Sequence, residues 1–280
     1  RFIGPEAHKV QIHTFHGFCN QVIQENAGYF GVREVEHIGE LEQHELLEDI
    51  LDQLDARHPL FHKSSYHELG NLLSLFATMK QEAWSVEDIE QAVREYLAEL
   101  PQREEFQYKR KYKEFAAGDP NPTKIAEAEQ KMERLLAGVR LLPEYQKRMQ
   151  ASGWYDYHDM IAWVIRAFRE DEALLAKYQE RFQYVLVDEF QDTNGAQKTV
   201  LDLLISYWQA PNVFVVGDDD QSIYRFQGAN LRNIMDFYQQ FQGEAKVVCI
   251  DRNYRSVPGI LEVAEHIIRK NSERLVHEIP

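Results

Sequence analysis

An acidic cluster at the end of an apolar run holds the residues best suited to chemistry. Tyr184-Val-Leu-Val-Asp188-Glu189-Phe190-Gln191-Asp192-Thr193-Asn194 runs from apolar, β-prone residues straight into carboxylates. One carboxylate of the Asp188–Glu189 pair can hold Mg²⁺, a hard cation that prefers oxygen ligands. The other can polarise a water for attack on a phosphoryl group. A short continuous apolar run bounded by polar residues reads as a fully buried strand of a parallel sheet. Ligands of such sheets bind just outside the carboxyl ends of the strands. Neighbouring side chains on a strand point to opposite faces, so the two acids need not share one task. Taken alone, the stretch equally describes a strand that ends in a solvated acidic loop.

The same grammar returns at Asn212-Val-Phe-Val-Val-Gly217-Asp218-Asp219-Asp220-Gln221-Ser222-Ile223-Tyr224-Arg225-Phe226-Gln227-Gly228-Ala229. Between the two, Gly195 to Trp208 places Val200, Leu201, Leu203, Leu204 and Trp208 at helical spacing. Strand, helix and strand make a βαβ unit. A third strand is expected at Lys246-Val-Val-Cys-Ile250, leading into Asp251-Arg252-Asn253-Tyr254-Arg255-Ser256.

Taken in order, VLVDEFQDTN, VVGDDDQSIYRFQGA and NYRS resemble motifs II, III and IV of the UvrD/Rep/PcrA-like helicases of superfamily 1. His13-Thr14-Phe15-His16-Gly17-Phe18 resembles that family's TFHSF-type single-strand-binding motif, and Asp156-Tyr157-His158-Asp159-Met160-Ile161 its D-[FY]-x-D-[LM]-[IL] segment. The resemblance implies an α/β fold: a partial RecA-like P-loop NTPase parallel sheet with a large all-α inserted subdomain. It implies that Asp188 binds Mg²⁺ at the ATP phosphates and that Glu189 activates the attacking water. Gln221 would sense the γ-phosphate, Tyr254 would stack on adenine and Arg255 would bind the γ-phosphate. Thr14, Phe15 and His16 would face single-stranded DNA, with Tyr224 and Phe226 stacking on bases. Phe226 stands where close relatives have tryptophan, and Gln227 where they have arginine. The expected partners are single-stranded DNA and DNA junctions, in the bacterial cytoplasm at the nucleoid.

No G-x-x-x-x-G-K-[ST] phosphate loop occurs in the 280 residues, and the chain opens on Arg1-Phe2-Ile3. The expectation is a fragment of a longer ATP-dependent DNA helicase, inactive as an ATPase by itself. The alternative is a helicase-like DNA-binding or scaffolding module without catalysis. A metal-dependent nuclease using Asp188, Glu189 and Asp218 to Asp220 leaves Gln221, the aromatic residues after it and NYRS unexplained.

Composition narrows the rest. The hydrophobic fraction of 44% is ordinary for a globular chain. A net charge of −15 argues against a surface that coats DNA generally, although a local aromatic or basic groove can still hold a single strand. The two cysteines, Cys19 and Cys249, give no disulfide framework and fit a reducing compartment. No apolar run has the length of a membrane span. His13, His16 and Cys19 have a metal-like spacing, but a structural zinc needs four ligands and no second pair stands nearby.

The elements that must position these residues divide as follows. Residues 1–33 and 151–256 are read as the partial first motor domain, 34–150 as a helical insertion, and 257–280 as the start of a connection to a second motor domain. Lys9 to Thr14 alternates and predicts a strand; Phe15 to Ala27 predicts a helix. Within the insertion, Ser85-Val-Glu-Asp88 is a capping box and Gly118-Asp-Pro-Asn-Pro122 a loop. Thr123 is placed as the cap of a helix to about Arg140. Lys109-Arg110-Lys111-Tyr112-Lys113 is the most basic patch, read either as a phosphate grip or as a solvated helix face. A sheet without the strand carrying a phosphate loop would expose an edge through which two copies could associate.

Overall fold

The structure, a computed structural model, describes residues 4, 9–31, 36–61, 66–222 and 232–270. The chain forms two compact units, Arg1–Val164 and Ile165–Pro280. Helices α1 (Phe15–Glu25), α2 (Ala27–Phe30), α3 (Glu40–Asp52), α4 (Tyr66–Glu82), α5 (Val86–Glu99), α6 (Pro122–Val139) and α7 (Leu142–Ala151) build the first unit. Short strands β1 (Glu36–His37) and β2 (Trp154–Tyr155) pair in parallel beside them. Helix α8 (Asp159–Glu170) runs through the boundary. The second unit contains α9 (Glu172–Arg181), β3 (Val185–Val187), α10 (Gly195–Ile205), β4 (Val213–Val215), α11 (Arg232–Gln240) and α12 (Pro258–Ile268).

In the first unit, the apolar stripes of α3, α4, α6 and α7 close on one core containing Leu47, Ile50, Phe76, Met79, Val139, Tyr145 and Met149. Burying one such side chain contributes about 1.5–3 kcal/mol. Gly138 lets α6 approach α4 closely, because a Cβ there would lie 2.8 Å from Leu72 Cδ2. The capping box of α5 forms as the sequence predicts. Asp88 N–H donates to Ser85 Oγ (3.1 Å) and Ser85 N–H donates to Asp88 Oδ2 (2.8 Å). At α6, the cap is Asn121 rather than Thr123: Asn121 Oδ1 accepts Lys124 N–H (3.3 Å), and Pro122 occupies the first turn, where its missing N–H costs nothing.

One polar cluster is sunk into this unit. The Lys80 side chain on α4 is 2% exposed and pairs with Asp156 at 2.6 Å and Asp159 at 2.7 Å. Burial pushes the Asp156 carboxyl up, but the Lys80 ammonium more than offsets it and holds the group below its usual range. The pairing fixes the segment from β2 to α8 onto α4.

Several strand expectations fail for one physical reason. A strand needs a ladder partner. Residues 10–14 are assigned no strand, and Val10 and Ile12 stand 52% and 89% exposed. Residues 246–250 likewise form no strand, with Ile250 84% exposed. The β3–β4 sheet is buried on one face only. Val185, Val187, Val213 and Val215 face the core with Phe190, Leu201, Ile205 and Phe237, whereas Leu186 and Phe214 point outward. Apolar residues alone do not cover a sheet; a second layer must lie on it. Helix α10 ends at Ile205, short of Trp208, and the predicted 15–27 helix breaks at Asn26 into α1 and α2. The basic run 109–113 lies in an irregular loop tied by isolated bridges Gln107↔Pro120 and Tyr112↔Phe115, so it is not a helix face.

Candidate functional site

Strands β3 and β4 run parallel in register, with Val187 opposite Val215. The ladder continues beyond them: Val216 N–H donates to Val187 O (2.9 Å), and Phe190 N–H donates to Val216 O (2.9 Å). The turns at 188–192 and 217–221 are therefore held side by side at the carboxyl ends of the strands.

Glu189 adopts left-handed backbone angles, φ 50° and ψ 43°. For a residue with a Cβ this costs on the order of 1–3 kcal/mol. The strand has already ended at Val187, so strand alternation does not aim Glu189, contrary to the expectation from the sequence. The left-handed turn aims it instead. Asp188 Oδ1 accepts the Glu189 N–H (3.0 Å), and both acids are solvent-exposed.

Behind them lies Gln191, 1% exposed. Its Nε2 donates to Glu189 Oε2 (2.7 Å) and its Oε1 accepts Asp218 N–H (3.1 Å). In turn, Asp218 Oδ2 accepts from Gln221 Nε2 (2.6 Å), and Asp218 Oδ1 accepts Asp220 N–H (3.1 Å). Gly217 permits this approach, since a Cβ there would stand 3.0 Å from Gln191 Oε1. Asp192 has an enclosed Oδ1 with no hydrogen-bond partner, and burial followed by the Glu189 charge pushes its carboxyl up. Phe190 anchors the turn in the core, edge-on to Phe237 at 5.4 Å. Thr193 Oγ1 donates to Phe190 O (2.7 Å), Asn233 Nδ2 donates to Thr193 O (2.7 Å), and Asn194 caps α10.

An exposed Asp188 beside acidic turns suits Mg²⁺, which commonly takes one or two carboxylates, phosphate oxygens and waters. Among the described residues no group of three or more His, Cys, Asp or Glu gathers for a protein-only metal cage, and this includes His13, His16 and Cys19.

Arg255 and Tyr254 do not join this network. Asn253 Oδ1 accepts the N–H groups of Arg255 (2.9 Å) and Ser256 (2.8 Å), making a tight turn before α12. Tyr254 is 89% exposed. Tyr224 and Phe226 lie outside the described residues.

The first unit carries the other candidates. Thr14 caps α1, its Oγ1 accepting Gly17 N–H (3.0 Å), and Phe15 is half-buried. His16 stacks on Tyr157 at 3.8 Å between ring centroids, 23° from parallel. Burial, then the neighbouring His158, lowers the His16 pKa, and its Nε2 is enclosed without a partner. Sequence reasoning gave no role to Tyr157 or Gln191. Tyr157 sits within the D-[FY]-x-D segment, so an aromatic between Asp156 and His158 was the available signal; Gln191 offered only an amide inside an acidic turn.

The sequence profile of the UvrD/REP helicase N-terminal domain matches residues 1–242. An ATP-dependent DNA helicase PcrA from Staphylococcus epidermidis is 28% identical over 275 residues, covering 97% of this chain and 31% of that protein. A protein of the same name from Staphylococcus aureus is 27% identical, covering 98% of this chain and 31% of its own length. The chain thus spans about a third of the length of these curated relatives.

Proposed function

The chain belongs to the UvrD/REP helicase N-terminal domain family, and from that premise we propose that it serves as part of the first motor domain of an ATP-dependent single-stranded-DNA translocase and helicase. The domain plan is the one read from the sequence: 1–33 and 151–256 as a partial RecA-like motor, 34–150 as its helical insertion and 257–280 as the start of the connection to a second motor. The observation that carries the reading is the hydrogen-bonded pair of turns joining Glu189, Gln191, Asp218 and Gln221 at the ends of two parallel strands.

In this reading Asp188 holds Mg²⁺, which when bound neutralises charge on the ATP phosphates. Glu189 accepts a proton from the attacking water and orients it in line with the γ-phosphorus. Gln221 reads the γ-phosphate, Arg255 neutralises it, and Tyr254 stacks on adenine. The catalytic work is positioning and electrostatics rather than covalent chemistry. Thr14, Phe15 and His16 face a single strand. The His16–Tyr157 stack supports an aromatic platform there, because base–aromatic stacking contributes about 1–3 kcal/mol per base and tolerates any sequence. Tyr224 and Phe226 continue the stacking. DNA repair, recombination or replication would supply such strands and junctions. Two copies of the chain could associate through the open edge of the β3–β4 sheet. Lacking a phosphate-loop sequence, the 280-residue chain alone should hydrolyse no ATP. As a second reading, that same feature favours a non-catalytic DNA-binding module for the chain by itself.

The test is steady-state ATP hydrolysis by the full-length protein with and without a single-stranded oligonucleotide, beside Asp188→Asn and Gln221→Ala. DNA-stimulated hydrolysis abolished by Asp188→Asn supports the reading. Gln221→Ala should keep DNA affinity but uncouple hydrolysis from translocation; unwinding at wild-type ATP stoichiometry would refute its assigned role.

A further inference from the structure

We propose that Gln191 is the positioning residue that couples the Glu189 carboxylate to the turn carrying Gln221, so that the water-activating group and the phosphate-reading group move as one. The inference rests on the helicase reading above and deepens it.

The geometry fits a relay. Gln191 is almost fully enclosed, so neither end of its amide has water as a substitute partner. An ionised carboxylate can only accept, and a backbone N–H can only donate. The amide orientation is thereby dictated: its NH₂ must meet Glu189 and its oxygen must meet Asp218 N–H, as observed at 2.7 and 3.1 Å. No other uncharged side chain of that length offers a donor and an acceptor on one rigid plane. A movement of the Gln221 turn therefore pulls Asp218 N–H, then the Gln191 amide, then Glu189 Oε2. Glu189 has little freedom to absorb the pull through its backbone, which sits in the narrow left-handed well. The sheet adds a fixed reference, since Val216 O and Phe190 N–H lock the two turns at their base. Gly217 completes the device by leaving just the space that the amide oxygen needs.

The relay also explains why position 191 carries an amide. A carboxyl at the same place would keep the acceptor for Asp218 N–H but meet Glu189 as a like charge.

The experiment uses the full-length protein and measures kcat and KM for ATP, with and without a single-stranded oligonucleotide. Gln191→Leu keeps the volume and removes both bonds. It should lower DNA-stimulated kcat at least about tenfold while KM for ATP and oligonucleotide affinity stay within about twofold. Gln191→Glu, which sets a carboxylate against Glu189, should lower the stimulated kcat in the same way. Gly217→Ala, whose Cβ would stand 3.0 Å from Gln191 Oε1 and 3.3 Å from the Gln191 backbone N, should lower the DNA stimulation in the same direction by a smaller factor. It decides the matter if Gln191→Leu does not fold. Stimulated kcat within twofold of wild type in Gln191→Leu, or in Gly217→Ala where the former does not fold, overturns the relay. So does a stimulated kcat within twofold of wild type in Gln191→Glu. A wild-type protein without DNA-stimulated hydrolysis is a different failure: it overturns the helicase reading itself, and the relay with it.

Discussion

The helical unit and the sheet unit treat their interiors differently. In Arg1–Val164, helices α3, α4, α6 and α7 close their apolar faces on a shared core, and a charged triad, Lys80 with Asp156 and Asp159, is buried in the same unit. Ile165–Pro280 packs one face of its two strands and leaves Tyr184, Leu186 and Phe214 at 73%, 74% and 59% exposure on the other. Helix α12 has no buried residue in the described structure. The core of the first unit is thus built between helices, whereas that of the second includes one covered face of a two-stranded sheet. The nucleotide site proposed for these turns would be fixed at its root and exposed at its tip.

The largest effect that can break this comparison lies at Lys80. Lys80→Ala strands two buried carboxylates and should cost the first unit about 3–5 kcal/mol, read as a lower urea midpoint and faster hydrogen exchange in α4 and α7. Leu186→Ala in the second unit should change stability by no more than about 0.5 kcal/mol, as surface substitutions do. Equal costs at the two sites would erase the distinction.

Acidification should act next, and on the first unit. His16 and His158 are both lowered, chiefly by burial, with Lys80 adding to the effect at His158 and Asp156 and Asp159 opposing it. A histidine whose folded pKa lies below its unfolded value binds fewer protons when folded. Its contribution to stability is therefore full above about pH 6.5 and is lost as pH falls through the folded pKa. Denaturation midpoints for residues 9–164 should drop between about pH 7.5 and about pH 5.5, and His158→Gln should flatten that slope.

A smaller loss, about 1 kcal/mol, is expected for Asn194→Ala, which removes the α10 cap directly after the acidic turn. Hydrogen exchange should rise in the first turn of α10 and leave the first unit unchanged. The two cysteines sharpen the contrast without altering stability. Burial pushes the Cys19 thiol up to about 12, while Cys249 is exposed. An alkylating reagent at neutral pH should label Cys249 and spare Cys19 in the native protein.

Much of this was legible from local patterns. The Ser85–Asp88 capping box, the helical spacing of α3 and α4, and the βαβ order of β3, α10 and β4 depend on neighbours in sequence, which the sequence displays directly. Strands at 9–14 and 246–250 were not borne out because a ladder is a long-range property, and alternation reveals only a tendency. The site shows the same division. Asp188, Glu189 and Gln221 announce themselves as acids and an amide at the ends of strand-like runs. The bond from Gln191 to Asp218 crosses 27 positions and was invisible until the strands were paired. Likewise, the Lys80 triad joins positions that only the packing of α4 against β2 and α8 brings together.

The most direct measurement of the central claim is single-turnover ATP hydrolysis by the full-length protein on a single-stranded oligonucleotide, wild type beside Glu189→Gln, with nucleotide binding followed in parallel. Glu189→Gln should bind ATP with affinity near wild type and lose at least about a hundredfold in the chemical step, since the carboxylate removed acts on the attacking water rather than in holding the nucleotide. Hydrolysis by Glu189→Gln within a few-fold of wild type would contradict the assignment of the β3 turn as the catalytic site.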